Sequence, residues 1–327
     1  MLMTQSVPLA IDVGHGWTKV ISLTKRLRFP SLIAVAKPAL DLGEHVQSKA
    51  IQVNGQPCLV GEAARPYATP LWVREKATDR DTLLLLIIAA ASALDAEPST
   101  IQVATGLPLT WYGNQRSAFQ TALETLPPYT VQLPQQPART IRIAQAKILP
   151  QAVAAAIALL STPVATPKIT LLIDIGYRTT DYLVVQQRPQ KPLDFWVDQS
   201  GTIEAGMSMI AEILAVELEN VHHLPFTLGE VETAASLMIK GSSVDLLGPR
   251  QQARMVLVGR LHQELTLRLK GQLDRMHQVL VVGGGASDLA EPLNRLLAVP
   301  VSMATDPQWA NAQGYWGALA PQTVGVH

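Results

Sequence analysis

Cysteine is almost missing from this chain: Cys58 is the single one. That excludes an intramolecular disulfide and any zinc cluster built from cysteines. Charge of either sign is not in excess, with 26 Lys and Arg against 26 Asp and Glu. A neutral chain without a long basic run has no broad electrostatic footprint for DNA or acidic membranes, so direct nucleic-acid binding and membrane binding are not expected. Long hydrophobic runs are lacking too. The greasiest stretch, residues 83–94, is well short of the roughly 20 residues that span a bilayer; it reads as a buried helix. No basic region followed by an apolar core opens the sequence, so no export is indicated and the cytoplasm is the expected address.

What is present is an apolar (48%), moderately charged (16%) composition with few aromatics (5%), which fits a globular rather than a disordered protein. The length of 327 residues suggests two domains. A chain of that size buries roughly 75% of its unfolded surface.

One phrase occurs twice. Ile11-Asp12-Val13-Gly14-His15-Gly16 stands near the N-terminus and Ile173-Asp174-Ile175-Gly176-Tyr177-Arg178 near mid-chain. Each is a β-branched run ending in Asp, one apolar residue, then Gly, which predicts a strand breaking into a tight turn with a carboxylate at its tip. Successive backbone N–H groups in such a turn can cradle phosphate, and glycine keeps side chains out of the way. A single copy is commonly no more than a hairpin turn; two copies half a chain apart point to two similar domains sharing a polyphosphate and its metal. Lys19 can add a full charge to the first turn. Asp12 and Asp174 are candidate Mg²⁺ carboxylates, since Mg²⁺ is held through one or two carboxylates plus the phosphate itself.

Elsewhere the pattern predicts a strand-rich insertion over about 25–75 and a helix over 83–94 capped by Asp81. It predicts a strand at 101–105, a helix at 115–126 and a strand at 141–149. Pro150 then stands where a small-residue helix begins, with Gln151 in its first turn. A Pro/Thr-rich stretch at 161–168 marks a boundary. Helices are expected at 206–219, 230–240 and 250–273, then a buried strand at 279–282 running into Gly283-Gly284-Gly285, and a closing helix near 309–319. The glycine triplet lets a flat base or ribose lie directly on backbone. Gln151 can orient an attacking water but is no general base, so its help is positional and hydrolysis slow. Arg178 can touch a phosphate or make a surface or inter-subunit contact. His222-His223 has no third ligand in view.

Taken together in order, these segments resemble the actin-fold ATPases: first phosphate turn, Gln151 helix, second phosphate turn, glycine loop, closing helix. Within that group the chain is most similar to plasmid-segregation proteins of the ParM/StbA type and their archaeal actin-like relatives. Ala104-Thr105-Gly106-Leu107-Pro108-Leu109 with Tyr112, Asp174 through Asp181, and Ala312-Gln313-Gly314 match family phrases. The resemblance implies an α/β, actin-like ATPase fold of two duplicated ribonuclease-H-like domains around a nucleotide cleft. Domain I would be 1–160 with helix 309–327, and domain II 161–308. It implies ATP (or GTP) with Mg²⁺ facing Asp12 and Asp174, and a first phosphate loop of Gly14, His15, Gly16 and Lys19. The second loop would be Gly176, Tyr177 and Arg178, the catalytic residues Gln151 and Asp174, and the adenosine loop Gly283–Gly285, with Gly206 near the nucleotide. His15 stands where the family usually has a small hydroxyl residue, and Tyr177-Arg178 is bulkier than the commoner glycine-rich pair.

The function so implied is a nucleotide-dependent filament-forming ATPase, its partner a second copy of itself, moving plasmid DNA through a DNA-binding adaptor. Two rivals keep the fold and drop the filament. One is a small-molecule kinase or phosphatase, for which no dedicated sugar-binding pattern is found. The other is a nucleotide-binding scaffold without turnover.

Overall fold

The hairpin expected at the N-terminus forms β1 (Val7–Val13) and β2 (Trp17–Ile21), antiparallel, with Asp12 opposite Lys19. The protein is described here from a computed structural model covering residues 6–36, 49–68, 73–95 and 99–319. It divides into two compact units: Met1–Ala158 with Asn311–His327, and Leu159–Ala310.

The first unit continues with β3 (Arg26–Pro30), β4 (Ile33–Val35), β5 (Ile51–Val53), β6 (Gln56–Val60) and α1 (Arg80–Ala93). After these come β7 (Ser99–Leu107), α2 (Leu109–Glu124), β8 (Tyr129–Gln132), β9 (Arg139–Pro150) and α3 (Val153–Leu160). The nine strands make one sheet in the order β3-β2-β1-β7-β9-β8-β5-β6-β4. The apolar run foreseen as a buried helix is α1: Leu85, Leu86, Ile87 and Ile88 are all but fully buried, and α1 packs on β1 and β2. Burying each such side chain contributes about 1.5–3 kcal/mol.

The second unit repeats the plan with β10 (Lys168–Ile175), β11 (Thr180–Gln187), β12 (Asp194–Phe195), β13 (Gly201–Ile203) and α4 (Ser208–His222). Then follow α5 (Leu228–Glu232), β14 (Ser236–Ile239), β15 (Ser242–Asp245) and α6 (Leu247–Leu269). It ends with β16 (Gln278–Val282), α7 (Ala286–Leu296) and β17 (Val301–Met303), before α8 (Ala310–Leu319) returns the chain to the first unit. Its core is built from Leu171, Ile173 and Val184 of the sheet with Leu214 of α4 and Leu257, Leu261 and Leu265 of α6.

The two units share a sheet motif. β1 pairs antiparallel with β2 and parallel with β7; β10 pairs antiparallel with β11 and parallel with β16. Asp12 faces Lys19 and Asp174 faces Asp181, while Gly14 N–H donates to Trp17 O and Gly176 N–H to Thr179 O. Every member of the second set lies 162 positions after its counterpart (12 to 174, 14 to 176, 17 to 179, 19 to 181).

Several expectations are corrected. α1 is capped by Asp79, whose side chain accepts from Thr82 N, and not by Asp81. α2 begins six residues before 115, directly after Pro108. The helix expected over 230–240 stops at Glu232. The rest is the β14–β15 hairpin, because Lys240 and Gly241 both take positive φ (47° and 83°), the backbone of a two-residue hairpin turn. Pro150 ends β9 instead of opening a helix, so Gln151 precedes α3 rather than lying in it. Gly206 likewise precedes α4 by two residues. The expected insertion's residues 37–48 and 69–72, and 320–327 of the expected closing helix, lie outside the described residues.

Candidate functional site

In the first unit the sequence candidates converge on Asp12. The carboxylate sits at the end of a buried strand, 3% exposed. Lys19 Nζ pairs with its Oδ2 at 2.8 Å, and Gln151 Nε2 donates to its Oδ1 at 3.4 Å. The β1–β2 register places Lys19 opposite Asp12, so the ion pair follows from hairpin geometry. Gln151 arrives by another route. Its backbone N–H donates to Leu107 O at 2.8 Å, and the next residue, Ala152, takes φ 60° with its N–H held by Asn311 Oδ1 at 3.0 Å. That left-handed residue turns the chain into α3 and leaves the Gln151 side chain aimed back at Asp12.

The first turn is tight. Gly14 donates to Trp17 O at 3.2 Å, and a Cβ there would press to 3.1 Å on the same oxygen. Gly16 O accepts from Ser31 N–H at 2.9 Å. His15 is engaged within the protein: its Nε2 donates to Val73 O at 3.3 Å and its ring meets Trp111 edge-on at 6.0 Å.

In the second unit Asp174, 8% exposed, lies opposite Asp181, 3% exposed, whose carboxylate accepts from Thr202 Oγ1. Two carboxylates directly across a strand pair disfavour each other when both are charged. Gly176 closes its turn on Thr179 O at 2.9 Å, and the turn carbonyls of Gly176 and Tyr177 accept from Met207 and Ser208 N–H at 3.1 and 2.7 Å. Gly206 makes that docking possible: a Cβ would stand 2.6 Å from Tyr177 O. Arg178 is buried and faces Glu204 at 3.7 Å. The glycine triplet divides its work. A Cβ on Gly283 (φ 88°) would collide with Asp174 Oδ1 and the Ile175 carbonyl, and one on Gly285 with the Ile175 and Met207 side chains. Gly284 alone of the three is open: a Cβ there would come no nearer than 3.7 Å, to the Gln308 amide nitrogen.

The residues present fit a nucleotide with a hard divalent cation. Each unit by itself offers a carboxylate at a strand end, Asp12 in the first and Asp174 in the second, beside a turn glycine, Gly14 or Gly176, and the second adds the open Gly284. Among the described residues no cluster of three or more metal-ligating side chains occurs. A cation held by one or two carboxylates and phosphate needs none.

Sequence reading missed Lys76 and Asn311. Lys76 is 3% exposed and donates to two main-chain carbonyls. A lysine among charged neighbours gives no local sign of burial. Asn311 falls in a phrase read as closing helix, and its capture of Ala152 links positions 159 apart.

Residues 10–153 match the family described as "Actin like proteins N terminal domain", and residues 172–295 match "Archaeal actin homologue MreB-like, C-terminal". The chain is 27% identical to an archaeal actin homologue of Thermoplasma acidophilum, an alignment covering 94% of this chain and 97% of the relative. Two solved structures are similar in fold. A 15-stranded ParM filament from Clostridium botulinum superposes with TM-score 0.81 at 21% identity, over 96% of this chain and 99% of the other. An archaeal actin homologue in complex with ADP gives TM-score 0.75 at 24% identity, over 95% and 98%.

Proposed function

We propose that this chain, whose two halves match actin-like family models and which is similar over nearly its whole length to an archaeal actin homologue, is a nucleotide-dependent ATPase that polymerises with copies of itself. The observation that carries the reading is the repeated turn: one strand–Asp–x–Gly hairpin in each unit with identical internal bonding, the first assembled with Lys19 and Gln151 around Asp12. ATP and Mg²⁺ are the ligands this reading assigns, with both turns serving one nucleotide. GTP is the alternative base. The ADP complex of the related archaeal protein supports a nucleotide here, and the ParM filament supports self-association.

Mg²⁺, when bound through Asp12 and Asp174, would neutralise charge on the β- and γ-phosphates. The protein's own part is positional. Lys19 and the turn N–H groups hold phosphate, and the Gln151 amide, tethered beside Asp12, orients the attacking water. A neutral amide takes no proton, so turnover is slow and the bound nucleotide persists. Unlike surfaces meeting head to tail do not close, and the result is a helical polymer. The cargo we assign is plasmid DNA, reached through a DNA-binding adaptor, in keeping with a net charge of zero.

Sedimentation and light scattering with ATP–Mg²⁺, ADP–Mg²⁺ or no nucleotide test this. Gln151→Ala is expected to slow phosphate release about 10²-fold, the scale of a lost positioning group, and to lengthen polymer lifetime. A protein that stays monomeric with ATP–Mg²⁺ contradicts the filament. Binding without hydrolysis, unchanged in Gln151→Ala, points to a scaffold instead.

A further inference from the structure

Lys76 lies just before α1, and its side chain runs inward to the C-terminal ends of two neighbouring strands. Its Nζ donates to Val13 O at 2.7 Å and to Gly106 O at 3.1 Å, and the residue is 3% exposed. An ammonium withdrawn from water costs several kcal/mol unless its donors are met, and a chain that merely filled this space would use Met or Leu.

The two carbonyls are the informative part. β1 and β7 pair in parallel from Val7 with Ile101 to Ala10 with Ala104. Three residues beyond that register on one strand and two on the other, Val13 and Gly106 meet the same ammonium. Val13 stands between Asp12 and Gly14. Its carbonyl is taken by Lys76, while the N–H of the same peptide unit, that of Gly14, donates to Trp17 O. The peptide that opens the first turn is therefore held at both ends. On the other strand Gly106 precedes Leu107, whose carbonyl seats the Gln151 N–H at 2.8 Å. Lys76 itself is anchored: its N–H donates to Gln115 Oε1 at 3.4 Å, and Gln115 Nε2 donates to Arg74 O at 2.8 Å.

We propose that Lys76 is a positioning residue. A single buried ammonium ties the strand end that carries the Asp12 turn to the strand end that seats Gln151, and so fixes the spacing between phosphate loop and amide. The catalytic consequence rests on the reading of Gln151 given above; the tie itself does not.

The test uses the full chain with Lys76→Met, Lys76→Gln and Lys76→Arg. Hydrogen exchange without nucleotide is expected to quicken about ten- to hundredfold at residues 14–17 and 151–152 in Lys76→Met, the range for lost bonds to a charged group, with α4 and α6 unchanged. Lys76→Arg should restore most of the protection. With ATP–Mg²⁺ at saturation, Lys76→Met should lower kcat about 10²-fold while the Kd for ADP moves far less, as misplacement of a positioned group does. Lys76→Gln is read in the same way where Lys76→Met does not fold. Unchanged exchange at both segments overturns the tie, as does loss of protection spread over the whole first unit in both neutral variants. Quickened exchange with unaltered kcat overturns the positioning role. Failure of the wild type to hydrolyse ATP overturns the ATPase reading and leaves the exchange result to judge the tie.

Discussion

Gly206 has no room for a side chain. A methyl there would meet Tyr177 O at 2.6 Å, Arg178 C at 2.7 Å and Gly176 O at 2.8 Å, all backbone atoms of the second turn. Backbone cannot rotate aside as a long side chain can, so Gly206→Ala should cost about 1–3 kcal/mol of stability, read from denaturant unfolding. Gly284→Ala, with open space beyond it, should cost a few tenths. Cys58 gives a second prediction at this scale. Burial pushes its thiol up to about 11, against the opposing charge of Arg80. At pH 8 the native thiol should therefore alkylate about a hundredfold more slowly than the same thiol in the unfolded chain, a two-unit difference in thiolate fraction. The raised value also has a direction for stability. The contribution of the neutral thiol is intact below pH 9 and falls away as pH rises through about 11, so Cys58→Ala should flatten the alkaline limb of a pH–stability curve.

At the scale of elements, α1 distinguishes two aspartates that look equivalent on paper. Asp79 caps the helix by accepting from Thr82 N at 2.6 Å, while Asp81 sits in the first turn with its carboxyl raised by burial and by the neighbouring charge of Asp79. Asp79→Ala should cost about 1 kcal/mol, the usual value of such a cap. Asp81→Asn should be neutral or slightly stabilising, because it removes a charge the fold disfavours. Thermal unfolding of the two variants side by side checks both. Asp, Arg and Asp at 79–81 offer two acceptors two residues apart, which the local sequence does not separate, and only the three-dimensional start of the helix chooses between them. The β14–β15 hairpin is a similar case. Its residues 230–240 have ordinary helical composition, yet the paired positive φ at Lys240 and Gly241 and the burial of Ile239 favour the ladder. The Lys-Gly pair was the local signal.

For the whole molecule, the question is whether each turn acts alone or both serve one ligand. A ligand that binds only the folded state raises stability by about 2.7 kcal/mol at a hundred times its Kd. We expect ATP with Mg²⁺ to raise Tm accordingly, and EDTA to remove the effect. Asp12→Asn and Asp174→Asn should each abolish the shift if one nucleotide engages both turns. Loss with one variant and full retention with the other would assign the ligand to a single unit. Among the described residues no helix is long and apolar enough to cross a membrane.

The sequence by itself determined the duplicated hairpins and the glycines at their turns, because each rests on contacts between residues near in the chain. The actin-like fold was legible only through the resemblance of its ordered phrases to a known family, since its sheets join strands as far apart as β1 with β7 and β10 with β16. A β-branched run, an acid and a glycine need only their own neighbours to become a strand and a turn. Only the tertiary structure decided that Gln151 stands ahead of its helix, that Ala152 is pinned by Asn311, that Arg178 is buried beside Glu204, and that Lys76 joins two strand ends. Those bonds link positions 26 to 159 apart or depend on which side chains a sheet brings to one edge. A buried lysine and an exposed one are the same letter until the strands that bury it are in place.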